Sequence, residues 1–171
     1  LSLGLFVKDG TYELKENMII DILGEVLSQQ FFKSIREDEG GTYGVAVQSN
    51  TSRAPKGEES LLVFFQTNPE QLDHLNAKVK SELNQIAEGS INIDEYFNKT
   101  VLNMKKGYEQ NQRENSYWMN ILVDYYFNND NAYDNYLETL DSITIDDIRN
   151  ALKDILANGR YLEQIGVTVE K

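Results

Sequence analysis

The chain has 171 residues, of which 40% are hydrophobic and 26% charged, a composition typical of a globular domain with one core. Its formal net charge of -12 disfavours nucleic acid and anionic membrane surfaces as partners, because like charges repel. The absence of cysteine excludes a disulfide framework, a thiolate zinc site and a cysteine nucleophile. No apolar run approaches the length that spans a bilayer, and the N-terminus lacks signal-peptide features, so we expect no membrane insertion.

The first half of the chain shows strand and helix patterns in turn. Apolar residues at every second position predict a strand over 1–8, and an apolar stripe predicts an amphipathic helix over 13–37. Two further strands are predicted over 42–48 and 61–66, and the polar stretch between them predicts a hairpin. A helix over 68–89 is bounded by an Asn-Pro start and a glycine stop.

The second half of the chain is predicted to be mostly helical. A capping pattern at Asn92 and Glu95 opens a long helical region with a kink in the polar segment EQNQRENS. Two shorter helices over 133–140 and 144–156 precede a last strand over 161–169. The stripe of the long helical region is predicted to consist of Phe97, Val101, Met104, Tyr108, Met119, Leu122 and Tyr126.

This order of elements predicts an α+β fold, a two-layer sandwich in which a mostly antiparallel sheet carries helices on one face. No repeat or flexible linker divides the chain, so we expect residues 1–171 to form a single domain. Because the chain begins without methionine and already in strand-like alternation, we expect it to be a fragment of a longer polypeptide. The predicted core includes Leu23, Leu27, Phe31, Val63, Phe65, Val101 and Ile165.

Few residues of the chain could support catalysis or hold a metal. The single histidine, His74, lies beside the apolar stripe of its helix, which predicts a surface position, and one histidine is too few for an ordinary catalytic zinc site. The helix dipole accounts for Asp146 and Asp147 at a helix start. The segment NNDNAYDN lacks the glycine and terminal acid of an EF-hand loop, and Gly40-Gly41 follows a helix, whereas phosphate-binding loops precede one. We therefore assign no catalytic residue and no metal ligand.

The segment IREDEGGTYGVAV remains as a candidate site. Arg36 ends a predicted helix and Tyr43 begins the next strand, so the reversal through Gly40-Gly41 should place both at one end of the sheet. A guanidinium and a phenol offer several donors to a peptide carbonyl or a developing oxyanion. Alternatively, Arg36 binds helix carbonyls and the adjacent acids while Tyr43 packs on the sheet, and chemistry alone favours this structural role.

The same segment resembles a known family. LGEVLSQQFFKSIREDEGGTYGVAVQSN is similar to the helix-to-strand junction in the C-terminal half of pitrilysin-type zinc metallopeptidases, which include the mitochondrial processing peptidase. That family shows an Arg, six intervening residues and a Tyr that opens a strand, and Arg36 and Tyr43 match this spacing. The resemblance continues through FFQTNPEQLD and through ENSYWMNILVDYY, which is similar to bacterial members, and so covers essentially the whole chain.

The resemblance implies a substrate-binding domain without catalytic residues. In this family a homologous N-terminal domain carries the HxxEH zinc site, and the C-terminal domain contributes the Arg and Tyr that reach across to the peptide substrate. Arg36 and Tyr43 are therefore expected to contact the substrate backbone, with zinc held by the partner domain, on the same polypeptide or on a partner subunit. This chain lacks HxxEH, so we expect it to be inactive by itself.

Two other functions stay open at this point. The first is a scaffold or interaction module of the same fold with no catalytic partner. The second is a free-standing hydrolase, which is the least favoured because the sequence offers neither a nucleophile nor a metal-ligand set. Cellular compartment, whether periplasmic or cytoplasmic, and peptide specificity cannot be predicted from these residues.

Overall fold

The computed structural model describes residues 1–129, 131 and 134–166, without the side chain of Tyr43. Its strands are β1 (Ser2–Asp9), β2 (Thr42–Ser52), β3 (Glu58–Thr67) and β4 (Arg160–Ile165). They form one antiparallel sheet in the order β2, β3, β1, β4. This sheet, with helices packed on it, confirms the predicted α+β class, the hairpin of β2 and β3, and the central position of β3.

The helices account for most of the remaining described residues. They are α1 (Leu14–Phe31), α2 (Leu72–Glu88), α3 (Asp94–Asn111), α4 (Asn115–Asn128), α5 (Tyr136–Asp141) and α6 (Ile145–Asn158). The predicted kink is a complete break between α3 and α4. In the described part of the chain, no helix is both long enough and apolar enough to cross a membrane.

Local sequence signals fix several of these boundaries. Gly89 ends α2 with a φ of 84°, a left-handed conformation that glycine adopts without the steric cost of a Cβ. Thr144 and Asp147 form a reciprocal capping box at the start of α6. At the start of α3, Asn92 does not form the predicted capping box with Glu95. Its side-chain oxygen instead accepts a hydrogen bond from the backbone N–H of Asp94 at 2.8 Å. Asn68 makes no side-chain capping hydrogen bond.

The core lies between the sheet and the helical layer. In β3, every second side chain faces the helices and is buried, in the series Glu59, Leu61, Val63 and Phe65. Helix α1 packs mainly on β2, and α6 packs on β1 and α2. The core predictions for Leu23, Leu27, Phe31, Val63 and Phe65 are confirmed.

Other core predictions are wrong, and the sheet explains why. Ile165 is 47% exposed because it lies on the edge strand β4, whose residues are all exposed. The prediction for Val101 holds in part, because its side chain is half-buried and packs against the core. In β1 the register places Phe6 on the helical side and the leucines Leu3 and Leu5 on the opposite face. The predicted partners of Ile165, at positions 167 and 169, lie outside the described residues.

The largest discrepancy concerns the predicted stripe of the long helical region. Its first part behaves as expected, since Phe97 is buried and Met104 is packed against the core. In α4, by contrast, Met119, Leu122 and Tyr126 are 65%, 54% and 77% exposed, and no residue of this helix is buried. The break before α4 carries the second part of the stripe away from the core.

Candidate functional site

A π-helical turn follows α1 and carries the first candidate residue. This turn spans Phe32–Asp38 and includes Arg36. Gly40 follows with a φ of 61°, a conformation that favours glycine, and the chain then enters β2. Wide helical turns of this kind are rare and occur frequently at functional sites. The sequence predicted an ordinary helical end at this position.

The guanidinium of Arg36 stacks on an aromatic ring of its own turn. Its central carbon lies 4.5 Å from the centroid of the Phe32 ring, a cation–π arrangement one helical turn away. Arg36 is exposed, and Phe32 remains 42% exposed. Among the described residues, Arg36 makes no hydrogen bond and no ion pair, so its donors are available to a ligand. In the described residues, Arg36 therefore makes neither the contacts with helix carbonyls nor those with the adjacent acids that the structural alternative predicts.

Buried polar contacts anchor this turn to α2. The hydroxyl of Ser34 donates to Oε2 of Glu82 at 2.7 Å, and the side-chain amide of Gln30 donates to the same oxygen at 3.2 Å. Ser34 and Glu82 are 6% and 7% exposed. The Nζ atom of Lys78 lies 4.0 Å from the Glu82 carboxylate. Because these groups are buried and paired, the position of the turn is fixed by α2 as well as by α1.

A partly exposed carboxylate adds a second anchor at the end of the turn. Glu39 accepts a hydrogen bond from Lys78, and His74 Nε2 lies 3.0 Å from Oε2 of Glu39. The hydrogen bond from Lys78, helped by His74, lowers the pKa of Glu39 below its usual value. The same hydrogen bond raises the pKa of Lys78. His74 is thus a surface residue, as its sequence position predicted.

Tyr43 lies in an irregular part of β2. The pairing of β2 with β3 shifts register between Thr42 and Val45, so the backbone of Tyr43 belongs to a bulge at the start of an edge strand. The side chain of Tyr43 lies outside the part of the chain that the structure describes. The hydroxyl of Thr67 donates to the carbonyl of Gly41 at 2.6 Å and holds the chain at the entrance to β2.

An open cleft runs beside this strand entrance. Its walls come from the glycine pair, from the ends of β2 and β3, and from the start of the next helix. The lining residues are Gly40, Gly41, Thr42, Gln66, Thr67, Asn68 and Gln71. Backbone groups, hydroxyls and amides therefore surround a space next to the turn that carries Arg36, an arrangement suited to hydrogen bonding with a polar chain.

The described residues do not fit a zinc site. No group of three or more His, Cys, Asp or Glu side chains in residues 1–129, 131 and 134–166 is placed to hold a metal ion. The single histidine is occupied by Glu39 at the surface. At the start of α6, Asp147 completes the capping box with Thr144, and Asp146 lies 3.4 Å from Nη1 of Arg149.

Solved structures share this fold. The periplasmic protease PqqL from Escherichia coli matches with a TM-score of 0.77 and 20% identity, over 95% of this chain and 18% of that chain. A protease from Helicobacter pylori matches with a TM-score of 0.76 and 15% identity, over 95% of this chain and 40% of that chain. The chain thus spans less than half of either protein. The fold is the α+β domain of these proteases.

A third match is close to this chain in length. The inactive peptidase domain of a Bordetella parapertussis protein assigned as a zinc protease has a TM-score of 0.71 and 12% identity. The match covers 99% of this chain and 93% of that chain. A domain of this length and fold has therefore been crystallised by itself.

A family model identifies the family directly. Residues 2–100 match the model of the peptidase M16 inactive domain. Because the match covers more than half of the 171 residues, the chain belongs to this family as an inactive domain, which confirms the resemblance seen in the sequence. No curated protein sequence matches the chain significantly.

Sequence reasoning missed three residues of the site region. Phe32, Ser34 and Glu82 support the turn that carries Arg36. The spacing of Phe32 and Arg36, four residues apart on a helix, is a visible signal for a stacked pair. Nothing in the sequence indicates that Ser34 and Glu82 meet, because they lie 48 residues apart on different helices.

Proposed function

We propose that this chain is the substrate-binding, non-catalytic domain of a zinc metalloendopeptidase that acts on peptides. In this proposal it closes over a homologous N-terminal domain that carries the HxxEH zinc site. Membership of the inactive-domain family supports the class of protein. The observation that carries the binding role is the exposed guanidinium of Arg36, which stacks on Phe32 beside an open polar cleft and has no hydrogen-bond or ion-pair partner in the part of the chain that the structure describes.

The proposed chemistry of this chain is hydrogen-bond donation. The N–H groups of Arg36 form a planar fork that can bind one or two backbone carbonyls of an extended peptide. The hydroxyl of Tyr43 would donate to a carbonyl near the scissile bond, at the start of the edge strand. Donors fixed before the substrate arrives stabilise developing negative charge more effectively than donors that must reorient. Zinc would supply Lewis-acid chemistry from the partner domain.

The test is turnover by the complete protease that contains this chain and its catalytic domain. Tyr43→Phe removes one hydroxyl and keeps the ring, so we expect turnover to fall by on the order of 100-fold while the protein stays folded. Arg36→Lys should also be harmful, because an ammonium does not reproduce the planar fork of donors.

Matched surface variants control for nonspecific effects. Tyr12→Phe and Arg160→Lys make the same chemical changes at exposed positions away from the turn and should leave turnover unchanged. Normal turnover in both Tyr43→Phe and Arg36→Lys, with zinc fully bound by the catalytic domain, would contradict the donor role. That result would instead support a scaffold module of the same fold.

A further inference from the structure

A second cleft shares the Phe32 ring with the candidate site. It lies between the end of α1, with the turn that follows it, and the start of α3. The lining residues are Ser28, Gln29, Phe32, Lys33, Glu37, Tyr96 and Lys99. Because Arg36 stacks on the same ring, a ligand in this cleft lies directly beside the proposed substrate-binding residue.

Two lysines of this cleft lack an internal counter-charge. More than half of the lysines and arginines that the structure describes form an ion pair with a carboxylate. Lys33 and Lys99 are exposed, and neither side chain forms an ion pair or a hydrogen bond with any described residue. Three cations without a partner in the described part of the chain, Arg36 included, are therefore gathered around Phe32. They stand out in a chain whose net charge is -12.

The acids near the turn leave this cleft positive. Among the described residues that line it, Glu37 is the only acid, against two lysines, and Arg36 adds a positive charge at the shared ring. The other nearby acids border a separate cleft, which Lys33 also borders; they are Asp38, Asp94 and Glu95. An anion that approaches Lys33 is therefore repelled on one side and attracted on the side of Lys99.

Contacts between α1 and α3 fix the two walls of the cleft. The side-chain amide of Gln29 donates to Oγ1 of Thr100 at 3.1 Å, and Thr100 is buried. Phe97, one turn earlier in α3, is buried in the core. Because these residues adjoin Lys99, the backbone positions of the two lysines are set before a ligand arrives. Such preorganisation lowers the cost of binding.

A carboxylate has the charge and the shape that this cleft accepts. An ammonium offers three donors, and its hydrogen bonds to carboxylates are shorter and stronger than those between neutral groups. The rings of Phe32 and Tyr96 and the carbon chains of the lysines can cover the CH2 groups next to a carboxylate. In a peptide, carboxylates occur on Asp and Glu side chains and at the C-terminus.

We propose that this second cleft binds a carboxylate of the peptide substrate through Lys33 and Lys99. The inference rests on the proposed function and adds to it a preference for acidic peptides. The guanidinium carbon of Arg36 lies 4.5 Å from the centroid of the Phe32 ring, and Lys33 is the next residue. The cleft is therefore on the order of 10 Å from the carbonyl that Arg36 binds. Since an extended residue spans about 3.3 Å, the carboxylate lies about two to four residues from that carbonyl.

Peptide cleavage by the complete protease tests the proposal. A mixture of short synthetic peptides of random sequence first identifies a cleaved parent peptide, and each position around its cut is then replaced by Glu or by Gln. At a position within about four residues of the cut, we expect kcat/KM for the Glu peptide to exceed that for the Gln peptide. The difference should be about three- to tenfold and should appear mainly in KM, because the cleft lies away from the reacting atoms.

A second pair of peptides distinguishes the two sources of the carboxylate. The parent peptide with a free C-terminus is compared with its C-terminal amide. A lower kcat/KM for the amide would assign the site to the terminal carboxylate, whereas a Glu preference at one position would assign it to a side chain. Equal cleavage of Glu and Gln peptides at every position, together with equal cleavage of acid and amide, would overturn the proposal.

Lysine variants connect the preference to the cleft. Lys33→Gln combined with Lys99→Gln should remove the preference, whereas Lys33→Arg combined with Lys99→Arg keeps both charges and should retain most of it. The matched control is Lys106→Gln combined with Lys153→Gln, which removes the same charge from two exposed lysines that do not line the cleft. The control should retain the preference. A preference that survives the loss of Lys33 and Lys99, or that the control pair loses equally, would overturn the proposal.

The outcome is separate from the test of the donor role. Tyr43→Phe and Arg36→Lys are judged by turnover, whereas the cleft is judged by the ratio of two peptides cleaved by the same enzyme. Reduced turnover in Tyr43→Phe, with equal cleavage of all the paired peptides by the parent protease, would overturn the carboxylate site and leave the donor role intact. Normal turnover in the donor variants, with a preference that depends on Lys33 and Lys99, would contradict the donor role alone.

Discussion

Removing the hydroxyl of Ser34 tests how the turn that carries Arg36 is held in place. Ser34→Ala deletes the buried donor that lies 2.7 Å from Glu82. A hydrogen bond to a charged group contributes about 1.5–3 kcal/mol. Glu82 keeps the amide of Gln30 as a donor and Lys78 nearby, so its charge is not left unpaired. We therefore expect Ser34→Ala to lower the free energy of unfolding by an amount within that range.

Urea unfolding followed by circular dichroism measures this change. For a slope of about 2 kcal/mol per molar, the midpoint should fall by about 1 M. In a double-mutant cycle with Glu82→Ala, Ser34→Ala should become nearly neutral, because its partner is already absent. Ser116→Ala, at an exposed serine of α4, is the control and should change stability by less than about 0.5 kcal/mol. If Ser34→Ala lowered the free energy of unfolding equally with and without the Glu82 side chain, the hydrogen bond between these residues would not be what holds the turn in place.

Two further changes test the hydrophobic core and the contacts of Glu39 with Lys78 and His74. Leu27→Ala should lower the free energy of unfolding by about 2–5 kcal/mol, because Leu27 is fully buried, whereas Leu102→Ala at an exposed position should have little effect. Similar urea midpoints for these two variants would contradict the assigned core. The pKa of Glu39 is lowered in the folded protein, so its ionised form stabilises the fold. This stabilisation is fully present above the pKa that Glu39 has in the unfolded chain, and it is lost as the pH falls through the lower pKa of the folded protein. The stability difference between the parent and Glu39→Gln should therefore shrink between pH 6 and pH 3, and a constant difference would show that the contacts with Lys78 and His74 do not depend on charge.

The sequence predicted the fold well wherever local signals agreed with packing. The glycine stop of α2, the capping box of α6 and the alternation of β3 each correspond to a boundary or a buried face in the structure. These signals depend on residues close together in the chain. The same reasoning failed for Ile165 and Tyr126, because periodicity shows that a face is apolar but not which surface covers it.

The candidate site was only partly predictable for a related reason. The spacing of Arg36 and Tyr43 and the glycine pair between them are visible in the sequence. The π-helical turn and the register shift at Tyr43 are not, since both depend on how α1 and β2 meet their neighbours. Glu82 is a long-range partner of the turn, and a single sequence carries no information about such a pair.

The stack of Arg36 on Phe32 has a consequence for the entropy of binding. A free arginine side chain carries about 2 kcal/mol of rotamer entropy, and a ligand that immobilises it must overcome that amount. In this domain the ring of Phe32 already restricts the guanidinium, while the donor groups still face solvent. A carbonyl or carboxylate that binds Arg36 therefore meets a side chain that has already lost part of its freedom, and more of the hydrogen-bond energy is available as affinity.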